Sequence, residues 1–275
     1  MGTLYVVGTP IGNLEDITLR ALRKLREVSL IAAEDTRTTG RLLSHHEVET
    51  PLTSYWEHNK LSKLHTILDA LEEGDVALVS EAGMPGLSDP GYKLIHAAIE
   101  AGHRVSPIPG PTAPITALVV SGLPTDRFLY LGFLPRRAGP RRRLLAQVAP
   151  MQHTLVAFES PHRLLEALED AEEILGDRQM AMARELTKLH EEIWRGRISQ
   201  ARAHFASQTV RGEFTLVIAG ASPQKARWEE ERVQAAAEEL MEAGVRRREA
   251  VKAVARLADW PAREVYQLML TKEDR

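Results

Sequence analysis

Three polar motifs carry the side chains that could move a proton or steady a developing charge. Ala33-Glu34-Asp35-Thr36-Arg37 sets two acids beside an arginine, Glu57-His58-Asn59 joins an acid, an imidazole and an amide, and Glu185, Lys188 and Glu191 surround one amine with carboxylates. A carboxylate or imidazole can take a proton from a hydroxyl, and an arginine or lysine can stabilise the oxyanion left behind. Asn59 is better suited to holding a hydroxyl or a base edge than to titrating. By residue type alone, each motif reads as a helix cap or a surface ion pair, the usual fate of acids at the ends of elements.

Familiar chemistries are missing. Gly8-Thr-Pro-Ile-Gly12 does not match the G-x-G-x-x-G dinucleotide turn, and there is no phosphate-binding G-x-x-x-x-G-K-[ST] loop, H-E-x-x-H zinc motif or G-x-S-x-G nucleophile elbow. No metal site is expected. Cysteine is absent, which removes disulfides, thiolate ligands and a thiol nucleophile, and fits a reducing compartment.

What stands out instead is backbone. Gly8-Thr-Pro-Ile-Gly-Asn-Leu14, Ser80-Glu-Ala-Gly-Met-Pro-Gly-Leu-Ser-Asp-Pro-Gly91 and Pro109-Gly-Pro-Thr-Ala113 each follow an apolar run of strand length. Glycine and proline there let the chain approach a ligand closely along a fixed, irregular path. Ligands of open α/β sheets sit beyond the carboxyl ends of the strands, so three such loops imply one shared pocket.

The elements that must hold these loops follow from periodicity. Residues 4–7, 29–33, 76–79 and 104–107 read as strands, and 18–27, 58–73 and 92–100 as helices, which predicts a mostly parallel sheet flanked by helices over 1–122. Gly122-Leu-Pro-Thr-Asp126 reads as a linker. Strands at 128–133, 153–158, 180–183, about 193–197 and 214–219, with a helix entered at Ser160-Pro161, predict a second α/β domain with a mixed sheet over 123–224. Residues 225–275 are charged and helical throughout. Within that tail, helices at 248–258 and 262–270 flank Asp259-Trp-Pro261, which fits a packed helical hairpin or a helix-turn-helix.

Composition is that of a soluble globular protein, 44% hydrophobic and 27% charged. No apolar run reaches the ~18 residues of a membrane span, and residues 1–7 lack the features of a signal peptide, so a cytoplasmic protein without membrane association is expected. The net charge of −3 does not suggest nucleic acid, but Arg136, Arg137, Arg141, Arg142 and Arg143 fall within eight residues without an acid, and Arg246-Arg-Arg248 forms a second cluster. Such a run is either a solvated surface or a phosphate-binding patch.

Taken together, six motifs resemble a known family. They are Leu4-Tyr-Val-Val-Gly-Thr-Pro-Ile-Gly-Asn-Leu14, Ala33-Glu-Asp-Thr-Arg37, Ser54-Tyr-Trp-Glu-His-Asn59, the loop 80–91, Glu159-Ser-Pro-His-Arg163 and Ala183-Arg-Glu-Leu-Thr-Lys-Leu-His-Glu-Glu192. In this order they resemble the bacterial ribosomal small-subunit RNA cytidine-2′-O-methyltransferases, within the tetrapyrrole-methylase-like (class III) superfamily. The likeness runs from residue 4 to about 220, and the helical tail is similar to the extension of this group. It implies two α/β domains with S-adenosylmethionine in the cleft between them, a homodimer, and 16S rRNA or the small ribosomal subunit as substrate. Carried over by motif, the donor site comprises Pro10, Ser80, Met84, Leu87, Thr112, Ala113, Phe158, Ala183 and Phe214.

The resemblance also turns the polar motifs toward substrate. Glu34 or Asp35 and Glu57 or His58 become candidate bases, Arg37 and Lys188 candidate cations, and Asn59 a positioning group. The arginine run becomes the phosphate-binding patch. Two departures matter: relatives usually read Ser-Asp-Ala-Gly-Thr-Pro where this chain has Glu81 and Met84, and Trp56 stands where histidine is common. A pocket without the threonine hydroxyl at Met84 must rely on backbone groups. Two rival readings remain, a tetrapyrrole or diphthine methyltransferase of the same superfamily, and a non-catalytic RNA-binding assembly factor.

Overall fold

The apolar runs of the first half pair as strands β1 (Thr3–Val7), β2 (Leu30–Ala33), β3 (Leu52–Ser54), β4 (Val76–Val79) and β5 (Arg104–Ile108). All are parallel, in the order β3-β2-β4-β1-β5. Between them lie helices α1 (Leu19–Glu27), α2 (Thr36–His45), α3 (Lys60–Glu73) and α4 (Tyr92–Glu100). The computed structural model describes residues 1–55, 60–222 and 228–270.

Strand β4 shows why both sheet faces must be covered: all four of its residues are buried. Side chains alternate across a strand, so each face receives every second residue. Ala77 and Val79 pack with Ala21 and Leu25 of α1 and Leu42 and Leu43 of α2. Val76 and Leu78 pack with Ile67 and Leu71 of α3 and Leu94 and Ala98 of α4. Because every strand points the same way, the loops after β1, β2, β4 and β5 all emerge at one edge.

Helix α5 (Ala113–Val120) carries the chain from the first sheet to the second. Its sequence is too uniformly apolar to show a stripe, and the structure gives the reason. Ala117 and Leu118 face Val156, Ala181, Ala183 and Val217 of the second sheet, together with Ile11 from the loop after β1. Arg195 donates to the carbonyls of Val120 and Ser121 at the end of α5, where a cation suits the helix dipole.

The second sheet comprises β6 (Phe128–Phe133), β7 (Thr154–Glu159), β8 (Gln179–Arg184), β9 (Glu192–Arg197) and β10 (Phe214–Ile218), in the order β6-β7-β10-β8-β9. It is mixed: β6 runs parallel to β7, and the other pairs are antiparallel. Its outer face is closed by α6 (Ala138–Val148), α7 (Leu164–Leu175) and α8 (Ile198–Ala206), through Leu145, Leu168 and Phe205 among others. The fold class is therefore α/β with two five-stranded sheets.

Met1–Ala221 forms one compact unit and Ser222–Arg275 another. The second holds α9 (Glu230–Glu242), α10 (Arg247–Ala258) and α11 (Ala262–Leu270), closed on Val233, Ala237, Val254, Ala258, Val265 and Met269. Asp259, in the left-handed region at φ 56°, ends α10, and the Trp260 indole donates to the carbonyl of Trp228 at 2.8 Å. Among the described residues, no helix is long and apolar enough to cross a membrane.

Candidate active site

The three Gly/Pro-rich loops converge. The loops after β1 and β4 are tied by a reciprocal backbone pair, Thr9 N to Gly83 O at 2.9 Å and Gly83 N to Thr9 O at 3.1 Å. The hydroxyls of Thr9 and Ser80 donate to the carbonyl of Gly83, each at 3.3 Å. The loops after β1 and β5 touch through glycine: a Cβ on Gly110 would lie 2.8 Å from the Gly8 carbonyl oxygen. Any side chain there forces the two backbones apart. The Met84 side chain packs on this framework, since a Cβ on Gly8 would lie 2.8 Å from its sulfur.

Above it lies a cavity of about 580 Å³, in the size range of small-molecule sites. All nine residues assigned to the donor site by resemblance line it. The first-sheet loops bring Pro10, Ser80, Met84, Leu87, Thr112 and Ala113, and strands β7, β8 and β10 bring Phe158, Ala183 and Phe214. Residues more than a hundred positions apart thus share one wall.

The charge of the lining is lopsided. Among the described residues, Glu81, Asp89, Glu159 and Glu213 line the cavity against one amine, Lys188. Burial, then the charge of Glu34, pushes the Asp89 carboxyl up to about 7. Burial also raises the Glu34 carboxyl, although Glu34 accepts a hydrogen bond from the Glu81 amide at 3.2 Å. Lys188 loses hydration on burial, but its bonds to Glu213 at 3.0 Å and Glu185 at 3.1 Å outweigh that and hold it above the ordinary lysine range. It is a fixed cation at neutral pH. Glu185 and Thr187 beside it have φ of 50° and 65°, a strained path for residues with side chains.

The other polar candidates divide. Glu34 stands behind the wall, bonded to the loop that forms it. Asp35 is the N-cap of α2: its carboxylate accepts from the amides of Arg37 at 2.7 Å and Thr38 at 3.3 Å. The Arg37 side chain, 87% exposed, pairs with Asp35 at 3.1 Å, and this bond holds the Asp35 carboxyl below the usual carboxylate range. Asp35 and Arg37 thus form a helix cap and a surface pair, and neither lines the cavity. Glu57, His58 and Asn59, with Trp56, lie outside the described residues.

The arginine run divides as well. Arg136 and Arg137 precede α6, Arg141, Arg142 and Arg143 lie in its first half, and helical spacing turns Arg141 inward with Leu145 and Val148. Arg141 is 1% exposed and bonds Asp170 of α7 at 2.7 Å. Arg142 bonds the other oxygen of Asp170 at 3.1 Å and also pairs with Glu173. Arg141 has no surface left for phosphate, and Arg142 is committed to two acids. Arg136, Arg137 and Arg143 are exposed.

Comparison with known proteins decides the family. The model of the tetrapyrrole (corrin/porphyrin) methylases matches residues 3–202. The chain belongs to this methylase family. Within it, the chain is 48% identical to ribosomal RNA small subunit methyltransferase I of Synechocystis, over 99% of both chains. It is 51% identical to the Thermotoga maritima protein of that name, over 80% of this chain and 99% of that one. Among solved structures, uroporphyrin-III-C-methyltransferase from Thermus thermophilus shares the fold, with TM-score 0.59 and 22% identity over 80% of this chain and 94% of that one. A cobalt precorrin-4 methyltransferase shares it with TM-score 0.61 and 16% identity, over 79% and 94%.

As a member of this methylase family the chain is a methyltransferase, with S-adenosylmethionine as its methyl donor. The cavity fits that donor. A sulfonium with an ammonium group is cationic, and the lining is acidic. The Thr112 hydroxyl is buried without a hydrogen-bond partner among the described residues, a group left for a ligand to satisfy.

Asp89, Glu159 and Phe133 also line the cavity, and sequence reasoning does not single them out. Asp89 lies inside the loop 80–91, where an acid among glycines and prolines is the available signal. Glu159 opens the Ser160-Pro161 turn, with one carboxylate oxygen bonded to Arg163 and the Ser160 amide, both at 2.6 Å. Nothing in residue type marks Phe133, whose placement depends on strand register.

Proposed function

We propose that the chain transfers a methyl group from S-adenosylmethionine to the ribose 2′-oxygen of a cytidine in 16S rRNA of the small ribosomal subunit. The observation that carries this reading is the convergence of all nine donor-site residues on one acidic cavity, in a chain 41–51% identical to ribosomal RNA small subunit methyltransferases I.

The donor, when bound, supplies a methyl on a good leaving group. The chain's work is to align the acceptor, which positioning alone accelerates greatly. The loops after β1, β4 and β5 hold the donor through backbone and through apolar side chains such as Pro10, Met84 and Leu87, with Asp89 facing its positive charge. The 2′-hydroxyl is a weak acid, so its proton must be taken as the oxygen attacks. Lys188, held protonated by Glu185 and Glu213, is the cavity's own cation and steadies the developing alkoxide. Glu34, its carboxyl raised by burial but standing behind the wall, is retained as a candidate proton acceptor together with Glu57 and His58.

Exposed Arg136, Arg137 and Arg143 contact RNA phosphates. The division at residue 122 follows the sheets, β1–β5 before it and β6–β10 after. A homodimer suits the exposed apolar side chains Ile115, Val119 and Val120 on α5. A ribosomal substrate places the protein in the cytoplasm.

Tritiated methyl incorporation tests this reading. Unmethylated small subunits should accept label while uroporphyrinogen does not. Label in uroporphyrinogen alone would overturn it.

A further inference from the structure

Phe133 sits where a regular strand would not put it. Tyr130 and Phe133 are three positions apart in β6, so an unbroken strand would turn them to opposite faces. The pairing with β7 runs Tyr130↔Val156 and then Phe133↔Phe158, three steps on one strand against two on its neighbour. The extra residue is a bulge, and Gly132 within it has φ +66°. The bulge brings both rings onto Phe158, with centroids at 5.6 Å for Tyr130 and 5.2 Å for Phe133.

The bulge is locked against the donor loop. The Ser88 hydroxyl lies 2.7 Å from the Tyr130 hydroxyl, and a Cβ on Gly132 would come 3.2 Å from the same Ser88 oxygen. Phe133 lines the cavity yet remains 58% exposed, whereas Phe158 is half-buried behind it. The chain then dips through buried Leu134 and returns to the surface at Arg136 and Arg137, which have no ion-pair partner among the described residues.

We propose that Phe133 is the stacking platform for the base of the extruded cytidine, with Arg136 and Arg137 on the flanking phosphates. This rests on the RNA-methylation reading above. A ribose that enters the cavity leaves its base near the mouth, in need of a new partner for the face it has unstacked. An exposed aromatic ring held rigidly by a bulge supplies it, and two cations a few residues away suit the backbone on either side. Stacking accepts any base, so Phe133 governs affinity for the strand and leaves the choice of cytosine to other groups.

The test compares Phe133→Leu and Phe133→Trp in the full chain. With unmethylated small subunits, Phe133→Leu should raise KM about tenfold, within the range of one base stack removed. Any loss of calorimetric affinity for S-adenosylmethionine should be clearly smaller than the rise in KM for RNA. Phe133→Trp should restore KM. Titrating Phe133→Trp with a cytidine-containing oligoribonucleotide should quench tryptophan emission beyond the change seen in wild type. An unchanged KM in Phe133→Leu, a matching loss of donor affinity, or no added quenching would each overturn the proposal. So would a changed sedimentation coefficient in Phe133→Leu, which would place the ring in a contact between chains. Wild-type protein that labels no RNA would instead overturn the parent reading.

Discussion

The loop at 80–91 and the arginine run at 136–143 both stand out by composition, and the structure treats them differently. The loop lines the cavity with Ser80, Glu81, Met84, Leu87 and Asp89 among others, held by the Thr9–Gly83 pair. The run splits along a helix: Arg141 and Arg142 go to Asp170, while Arg136, Arg137 and Arg143 face solvent. Glycine and proline act where they stand in the chain. A charged side chain acts where the helix turns it, so its role depends on periodicity as much as on type.

Arg141→Met tests this split most severely. It strips one of two arginines from buried Asp170, leaving Arg142, and should cost about 1.5–3 kcal/mol of stability, read as a lowered denaturant midpoint. Donor affinity in the remaining folded protein should be unchanged. The double variant Arg141→Met/Asp170→Leu should recover much of the loss, because no unpaired charge is then left among apolar neighbours. A stable single variant with weakened RNA binding would return Arg141 to the phosphate patch.

The exposed arginines should behave in the opposite way. Arg136→Ala, Arg137→Ala and Arg143→Ala combined should leave the denaturant midpoint nearly unmoved. RNA affinity should fall, and the slope of log affinity against log salt should flatten by up to about one for each phosphate that is no longer neutralised. An unchanged slope removes them from the RNA interface.

Asp89 places a pH dependence on the loop side of the comparison. Its carboxyl is raised from 3.8 to about 7, so the folded chain without ligand holds a proton that the unfolded chain has released. This contribution to stability is complete below the unfolded value and is lost as pH rises through about 7. Binding of a cationic donor runs the other way and should tighten several-fold between about pH 6 and pH 8 as Asp89 ionises. In Asp89→Asn that rise in calorimetric affinity should vanish. A wild-type affinity that does not vary with pH would detach Asp89 from the donor.

Thr112→Val should have the smallest effect. If the orphaned hydroxyl meets the donor, its removal weakens donor affinity by about 1 kcal/mol, roughly fivefold, without destabilising the protein. Unchanged affinity would leave that hydroxyl without a ligand.

Both sheets and the tail are legible in the sequence because their strands and helices carry clear apolar patterns. The elements that are not legible share physical reasons. β3 has only three residues. α5 is apolar on every side, because one flank covers the second sheet through Ala117 and Leu118 while Ile115 and Val119 stay exposed. α6 is hidden by its arginines, although Arg141, Leu145 and Val148 keep helical spacing. In the site, the nine residues carried over by resemblance fall on one cavity, because backbone-rich loops preserve their motif. The acids and cations cannot be placed by type, since an N-cap such as Asp35 and a cavity carboxylate such as Asp89 look alike until the chain is folded.

The central claim is ribose methylation of RNA, and mapping the product tests it directly. Unmethylated small subunits would be incubated with the protein and S-adenosylmethionine, and the 16S rRNA then digested and analysed by mass spectrometry. The account predicts one added methyl on the ribose of a single cytidine. A methyl on a base, or unmodified RNA from protein that binds the donor, would contradict it.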